Sequence, residues 1–261
     1  MPKEQKPPAG KSRLDVLIVE RGLAPTRQRA QAMLLAGNVA VNGQPASKAG
    51  ALIPKDAKIT ISGKTLRYSS RGGLKLEGAL SDFRVSPTGK VCLDIGSSTG
   101  GFTDCLLQRG AARVYAVDVN VNQLDWKLTR NTRVVPIKCN ARFLKHELVP
   151  ERPELVVVDL SFISVAKVLP AVALVAAPDA EFLVLIKPQF ELDRADIGKG
   201  GIVRHATLHQ RAIERVTEAA RRCGLDALGV RQSRVPGAEG NIEFFLHAML
   251  KPSSTIAARA K

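Results

Sequence analysis

Val91-Cys92-Leu93-Asp94-Ile95-Gly96-Ser97-Ser98-Thr99-Gly100-Gly101-Phe102-Thr103 is the stretch that decides the fold. An apolar run holding a single acid reads as a buried strand, a glycine- and serine-rich turn follows, and a helical pattern opens over 102–108. In an open α/β sheet this strand–turn–helix step lies where ligands bind, beyond the carboxyl ends of the strands. The turn is neither Gly-x-Gly-x-x-Gly nor Gly-x-x-x-x-Gly-Lys, so phosphate-cradling motifs fit it poorly.

Downstream, 113–118, 134–137, 155–159 and 182–186 read as further strands, with helices at 123–129, 141–147 and 163–176 between them. The run Leu155-Val156-Val157-Val158 suits a strand buried on both faces. A late helix over 208–223 and strands at 228–231 and 242–249 complete the pattern. Alternating strands and helices predict an α/β domain with a mainly parallel, doubly wound, seven-stranded sheet over 74–250.

Upstream, Leu14, Leu17 and Ile18 have helical spacing and Gly22 stops the helix. Thr26 is placed to cap a second helix carrying Ala30, Met33, Leu34 and Ala36, which Gly37 stops. Val39-Ala40-Val41-Asn42-Gly43 reads as a strand and a hairpin turn, and Ile59-Thr60-Ile61 as a closing strand. Residues 13–62 thus form a small α+β unit. Residues 1–12 read as a disordered basic tail, 63–73 as a basic linker in which Tyr68 packs locally, and 251–261 as a flexible tail.

The 261 residues hold 39 Lys and Arg against 24 Asp and Glu, a net +15. Residues 1–72 carry seven Lys and six Arg against two Asp and two Glu, so most of the excess sits in the first quarter. That asymmetry points to a polyanionic partner. Four separated cysteines without a Cys-x-x-Cys pair exclude a disulfide framework and a four-cysteine zinc site. The histidines have no metal-ligand spacing, and no metal is expected. The N-terminus has no apolar core, and the most apolar stretch, 165–186, carries Lys167, Asp179 and Glu181. Neither a signal peptide nor a membrane span is expected, and a cytoplasmic location is.

Asp118 ends the second strand of the large domain, where an acid can hold both hydroxyls of a ribose. A nicotinamide dinucleotide and S-adenosylmethionine would use it alike. Lys75, Asp159, Lys187 and Glu243 are scattered in sequence, and each has a plain reading. Lys75 could be solvated, Asp159 and Lys187 could pair across adjacent strand ends, and Glu243 could face outward.

Residues 13–62 resemble the S4 RNA-binding domain through Arg13-Leu14-Asp15, Arg27-Gln28-Arg29-Ala30, Gly37-Asn38-Val39 and Val41-Asn42-Gly43. The resemblance implies that Arg13, Arg27, Arg29 and Lys48 contact RNA phosphates, which position RNA without reading its sequence. The Asp94-x-Gly96-x-x-x-Gly100 turn resembles motif I of S-adenosylmethionine methyltransferases. Lys75, Asp159, Lys187 and Glu243 match the Lys-Asp-Lys-Glu tetrad of FtsJ-like RNA 2′-O-methyltransferases. With the S4-like unit in front, the chain resembles the TlyA family, often labelled hemolysin. Supporting runs are Ser70-Arg71-Gly72-Gly73-Leu74-Lys75, Asp159-Leu160-Ser161-Phe162-Ile163-Ser164, Lys187-Pro188-Gln189-Phe190-Glu191 and Glu239-Gly240-Asn241-Ile242-Glu243.

This resemblance implies a Rossmann-like methyltransferase that uses S-adenosyl-L-methionine to methylate a cytidine ribose 2′-oxygen in 16S or 23S ribosomal RNA, with RNA or ribosomal subunits as partner. Asp94, Gly96, Ser98, Gly101, Phe102 and Thr103 would surround the methionine part, Asp118 the ribose and Asn140 the adenine, with Asp159 beside the donor. Arg71 and Lys199 would add RNA contacts. A ribose hydroxyl is a weak nucleophile, so Lys187 is the candidate base beside the Lys75 cation. Asp159 would orient Lys187, and Glu243 would position Lys75 or the ribose. Three alternatives stay open: a non-catalytic RNA-binding protein, a cytolysin and a nicotinamide-dependent enzyme.

Overall fold

The computed structural model describes residues 10–24, 26–35, 38–46, 48–61, 67–237 and 240–251. The chain divides into two compact units, 1–66 and 67–261.

In the first unit, β1 (Lys11–Arg13) leads into α1 (Leu14–Glu20) and α2 (Arg27–Leu35). Four short strands follow: β2 (Val39–Val41), β3 (Gln44–Pro45), β4 (Leu52–Pro54) and β5 (Ile59–Ile61). Thr26 Oγ1 accepts from the Arg29 amide at 3.2 Å, the cap expected at that position. Asn42 and Gly43 both have positive φ, 51° and 82°, which the tight β2–β3 turn requires. Leu14, Ile18, Ala30, Leu34 and Val39 form the core. The antiparallel β1–β4 ribbon was not expected. Its strands are three residues long and pair across some forty positions, beyond what local periodicity reports. The tail residues 1–9, the stop at Gly37, residues 62–66 of the linker and 252–261 lie outside the described residues.

The second unit opens with α3 (Gly72–Phe83), then β6 (Val91–Ile95), α4 (Gly101–Gln108), β7 (Arg113–Asp118), α5 (Trp126–Thr129) and β8 (Val134–Lys138). There follow β9 (Leu155–Val158), α6 (Leu169–Val175), β10 (Glu181–Ile186), α7 (Pro188–Glu191), α8 (Ala206–Arg222), β11 (Leu225–Gln232) and β12 (Phe244–Leu250). The seven strands run in the order β11-β12-β10-β9-β6-β7-β8. All are parallel except β12, which is antiparallel to both neighbours. Side chains of α6 and α8 cover one face, and those of α3, α4 and α5 the other. Leu155 to Val158 are wholly buried, as a strand covered on both faces must be.

Three expected helices are shorter or absent. The 123–129 segment is a 3₁₀ turn at Val121–Gln123 and the single-turn α5, parted by extended backbone at Leu124 and Asp125. The 141–147 segment is two 3₁₀ turns, Ala141–Phe143 and His146–Leu148, parted at Leu144 and Lys145. In 163–176 a 3₁₀ turn precedes α6, which begins at Leu169 and has Pro170 in its first turn, where a missing N–H costs nothing. Residues 67–73 belong to the second unit rather than to a linker. Tyr68 is 1 % exposed, Asp104 Oδ2 accepts from both the Ser69 amide and hydroxyl, and Gln108 Nε2 donates to the Arg67 carbonyl.

Candidate active site

Strand order reverses between β6 and β9: β7 and β8 extend one way from this pair, β10 the other. A crevice opens at such a switch point, beyond the carboxyl ends of the strands. Here Gly96 leaves β6 and Asp159 leaves β9, side by side. Gly96 has φ +86°, and a Cβ there would collide with the Asp159 carbonyl oxygen, so only glycine lets the two turns close together.

A cavity of about 300 Å³ lies at this point. The glycine loop (Gly96, Ser97, Ser98, Gly101, Phe102) forms one side. Ser70, Arg71 and Lys75 come from the start of α3, Asp159 and Ser161 from the turn after β9, and Lys187 from the end of β10. Two ion pairs mark it. Lys75 Nζ donates to Glu243 Oε2 at 2.5 Å, with both side chains almost buried. Lys187 Nζ lies 2.6 Å from Asp159 Oδ1, an ion pair without hydrogen-bond alignment, and donates to Ser161 Oγ at 3.0 Å. Four residues from four distant segments thus become two lysine–carboxylate pairs at one crevice. Lys75 sits one turn into α3, and Glu243 just before β12 rather than within it.

The other expected donor residues divide. Gly96, Ser98, Gly101 and Phe102 line the cavity. Asp94 and Thr103 do not; both are fully buried behind the loop, and Thr103 Oγ1 donates to Asp94 Oδ2 at 2.6 Å. Asp94 Oδ1 has no hydrogen-bond partner among the described residues, and burial pushes this carboxyl up to about 7 against the pull of the Thr103 bond. Asp118 ends β7 beside the loop. Its Oδ2 accepts from the Ser98 amide and its Oδ1 from the Asn120 amide, both at 2.9 Å. Asn140 is exposed after β8 and caps the following turn, its Oδ1 accepting from the Arg142 amide at 3.1 Å.

Of the expected RNA contacts, Arg71 lines the cavity, and the Lys199 side chain lies outside the described residues. In the first unit Lys48 is exposed and Arg29 half-buried. Arg13 and Arg27 both bind Asp15, whose side chain is inaccessible. Arg13 makes two 3.0 Å bonds to it, Arg27 one at 3.1 Å, and Gln31 another at 3.0 Å. The Arg13 bond foremost holds the Asp15 carboxyl well below the usual range.

Sequence reasoning gave no role to Ser70, Ser97, Ser161 or Glu191. Ser97 Oγ is buried in the cavity wall with no hydrogen-bond partner among the described residues, so the loop presents an unused polar atom to an incoming ligand. Ser161 stands two residues after Asp159, inside a run already singled out, but only the folded turn shows it receiving Lys187. Phe162 follows at φ +66°, exposed, its ring 5.2 Å from that of Phe190. Glu191 is buried on α7, accepting from Ser164 Oγ at 2.6 Å and the Val165 amide at 2.8 Å. It ties the segment after β9 to the segment after β10. Glu191→Ala would strand both donors, a loss of about 1–3 kcal/mol per buried unsatisfied group. A fall in melting temperature of several degrees is expected in a thermal scan, and an unchanged melting temperature would show that the tie carries no stability.

The model of FtsJ-like methyltransferases matches residues 68–249, and the S4 domain model matches 12–59. The chain belongs to the FtsJ-like methyltransferase family. It is 46% identical over 239 residues to YqxC of Bacillus subtilis, covering 91% of this chain and 85% of that one. It is 42% identical over 253 residues to the 16S/23S rRNA (cytidine-2′-O)-methyltransferase TlyA of Mycobacterium tuberculosis, covering 96% and 94%. A Streptococcus thermophilus structure carrying a hemolysin label superposes with a TM-score of 0.73 at 41% identity, covering 93% of this FtsJ-like chain and 89% of that one. No helix among the described residues is long and apolar enough to cross a membrane.

Proposed function

We propose that this chain methylates the 2′-oxygen of a cytidine ribose in 16S or 23S ribosomal RNA, with S-adenosyl-L-methionine as donor, and does so in the cytoplasm. The observation that carries the reading is the meeting of Lys75–Glu243 and Lys187–Asp159 at one crevice walled by the glycine loop. A nicotinamide enzyme or a bare RNA-binding module has no use for that arrangement.

Ser97 Oγ, the loop backbone and the Asp118 carboxylate suit the donor's polar groups, with Gly96, Ser98, Gly101 and Phe102 around its methionine part and Asn140 toward its adenine. The donor supplies a methyl group already activated on a sulfonium. The chain therefore has to align an oxygen in line with that methyl and exclude water, which accounts for large accelerations by itself. Lys187, fixed by Asp159 and Ser161, would hold the 2′-oxygen and, as the neutral amine left once its own proton has passed to solvent, take the hydroxyl proton as the O–CH3 bond forms and the S–CH3 bond breaks. Lys75, fixed by Glu243, would hold the ribose from the side of α3. The S4 unit would anchor the RNA through Arg13, Arg27, Arg29 and Lys48, and Arg71 and Lys199 would guide it at the crevice.

The test is to incubate the protein with labelled S-adenosylmethionine and separated ribosomal subunits from cells lacking it, then map the label. Methyl label on a cytidine 2′-oxygen is the expected result. Label on a base overturns the assigned chemistry. Failure to bind the donor overturns the enzyme.

A further inference from the structure

Between Asp125 and Glu147 the chain holds no acidic residue but six cations: Lys127, Arg130, Arg133, Lys138, Arg142 and Lys145. All six are exposed. None forms an ion pair among the described residues, whereas Arg67, Arg109, Arg113, Arg211 and Arg234 of the same unit each bind a carboxylate. Five of the cations flank β8 and Lys138 ends it; β8 is an edge strand of the sheet, paired with β7. On either side of it a guanidinium lies over an exposed aromatic ring. Arg130 is 5.1 Å from the Trp126 ring centre, and Arg142 is 5.7 Å from that of Phe143. Trp126 is 44% exposed and Phe143 64%.

Leu124 and Leu128, around α5, pack into one face of the sheet, and Ala141 and Leu144, around the turn after β8, into the other. The two aromatic–arginine pairs therefore straddle the edge strand. Clustered like charges without counter-charges repel one another, a cost that an anionic partner removes. Rings paired with guanidinium groups are the platform on which unpaired bases stack, and lysines around them meet the phosphates. A membrane-bound patch would need a continuous apolar face, which two separated rings do not give.

We infer that this edge of the methyltransferase unit is a second RNA-binding surface, taking a single-stranded segment of the substrate RNA with phosphates on the lysines and bases on Trp126 and Phe143. The inference rests on the RNA reading above and goes beyond it in placing RNA contacts outside both the S4 unit and the crevice.

The test uses the full-length protein and two variants. One combines Lys127→Gln, Arg130→Gln, Arg142→Gln and Lys145→Gln; the other combines Trp126→Ala and Phe143→Ala. Binding to protein-free ribosomal RNA is measured across salt concentrations, alongside the thermal shift given by S-adenosylmethionine. For the first variant the log–log salt slope should fall by about 0.7 for each phosphate that is no longer neutralised. The second should bind at least about tenfold more weakly with its slope retained, because stacking on two rings is removed. Both should keep the donor-induced shift. Wild-type slope and affinity in the quadruple variant would overturn the surface while leaving the methyltransferase reading intact. Weakened binding only to assembled subunits, with protein-free RNA bound normally, would overturn RNA as the occupant in favour of an acidic ribosomal protein. Wild-type protein that neither binds nor methylates ribosomal RNA would overturn the function reading itself, and this inference with it.

Discussion

Lys187→Ala is expected to lower the rate of methyl transfer by about a thousandfold or more, the range seen when a group handling the reacting proton is removed. The geometry explains why the loss should be large and confined to chemistry. Lys187 Nζ meets Asp159 and Ser161 at the crevice and lies 6.0 Å from the Phe190 ring centre, while the preceding strand β10 is buried between β9 and β12 and does not depend on it. Lys187→Met keeps the aliphatic stem and removes the ammonium, separating lost packing from lost charge. Both variants should bind S-adenosylmethionine and RNA close to wild type and unfold at a similar temperature. Lys75→Met probes the other pair and should act more through the apparent affinity for RNA, since Lys75 holds the ribose in this mechanism. Methylation within tenfold of wild type in Lys187→Met would remove the lysine from the mechanism. A matching loss of donor binding would move it to the donor site.

The large fold was legible because its signals are local. Leu155-Val156-Val157-Val158 announces a strand buried on both faces, and the glycine turn after Ile95 marks the ligand-binding end. The helices that failed are those where extended backbone breaks the periodicity: Asp125 and Asn140 accept bonds from amides two residues on and start short turns. A side chain that caps a turn looks, in sequence, much like one that starts a helix. The tetrad was legible only as a resemblance, since spacings of 28 to 84 positions between its members carry no period. Its pairing is a property of topology: the β6–β9 switch point brings Asp159 beside the loop, and antiparallel β12 returns Glu243 to the same end of the sheet as Lys187. Asp94 and Thr103 show the converse. They belong to the motif that locates the donor site, yet alternation along β6 and the first turn of α4 turns both inward, where they bond to each other.

Asp94→Asn is expected to be more stable than wild type, by an amount that depends on pH. Asp94 is wholly buried, Thr103 satisfies one oxygen, and the other has no hydrogen-bond partner among the described residues. Its carboxyl titrates near 7 in the folded protein against 3.8 for the free group. Below pH 3.8 both the folded and unfolded chains hold the proton, and the site contributes no pH dependence. Between 3.8 and 7 the unfolded chain releases the proton while the folded chain keeps it, so wild-type stability falls as pH rises. Above 7 both have lost it, and the full cost remains, on the order of 4 kcal/mol for a shift of this size. Asparagine has the same shape, accepts the Thr103 bond through its carbonyl, and does not titrate. The gap between variant and wild type should therefore open between pH 4 and pH 7 and stay level from pH 7 to pH 9, read as the difference in denaturant midpoints multiplied by the common slope. A gap that does not change with pH would mean that the Asp94 carboxyl ionises in the folded protein as freely as in the unfolded chain. The same substitution bears on function, because the carboxyl lies directly behind the loop that would cradle the donor. If Asp94 only supports the loop from behind, the variant should bind S-adenosylmethionine with wild-type affinity at pH 6 and pH 8 alike. If the residue instead turns toward the donor, affinity should fall at both.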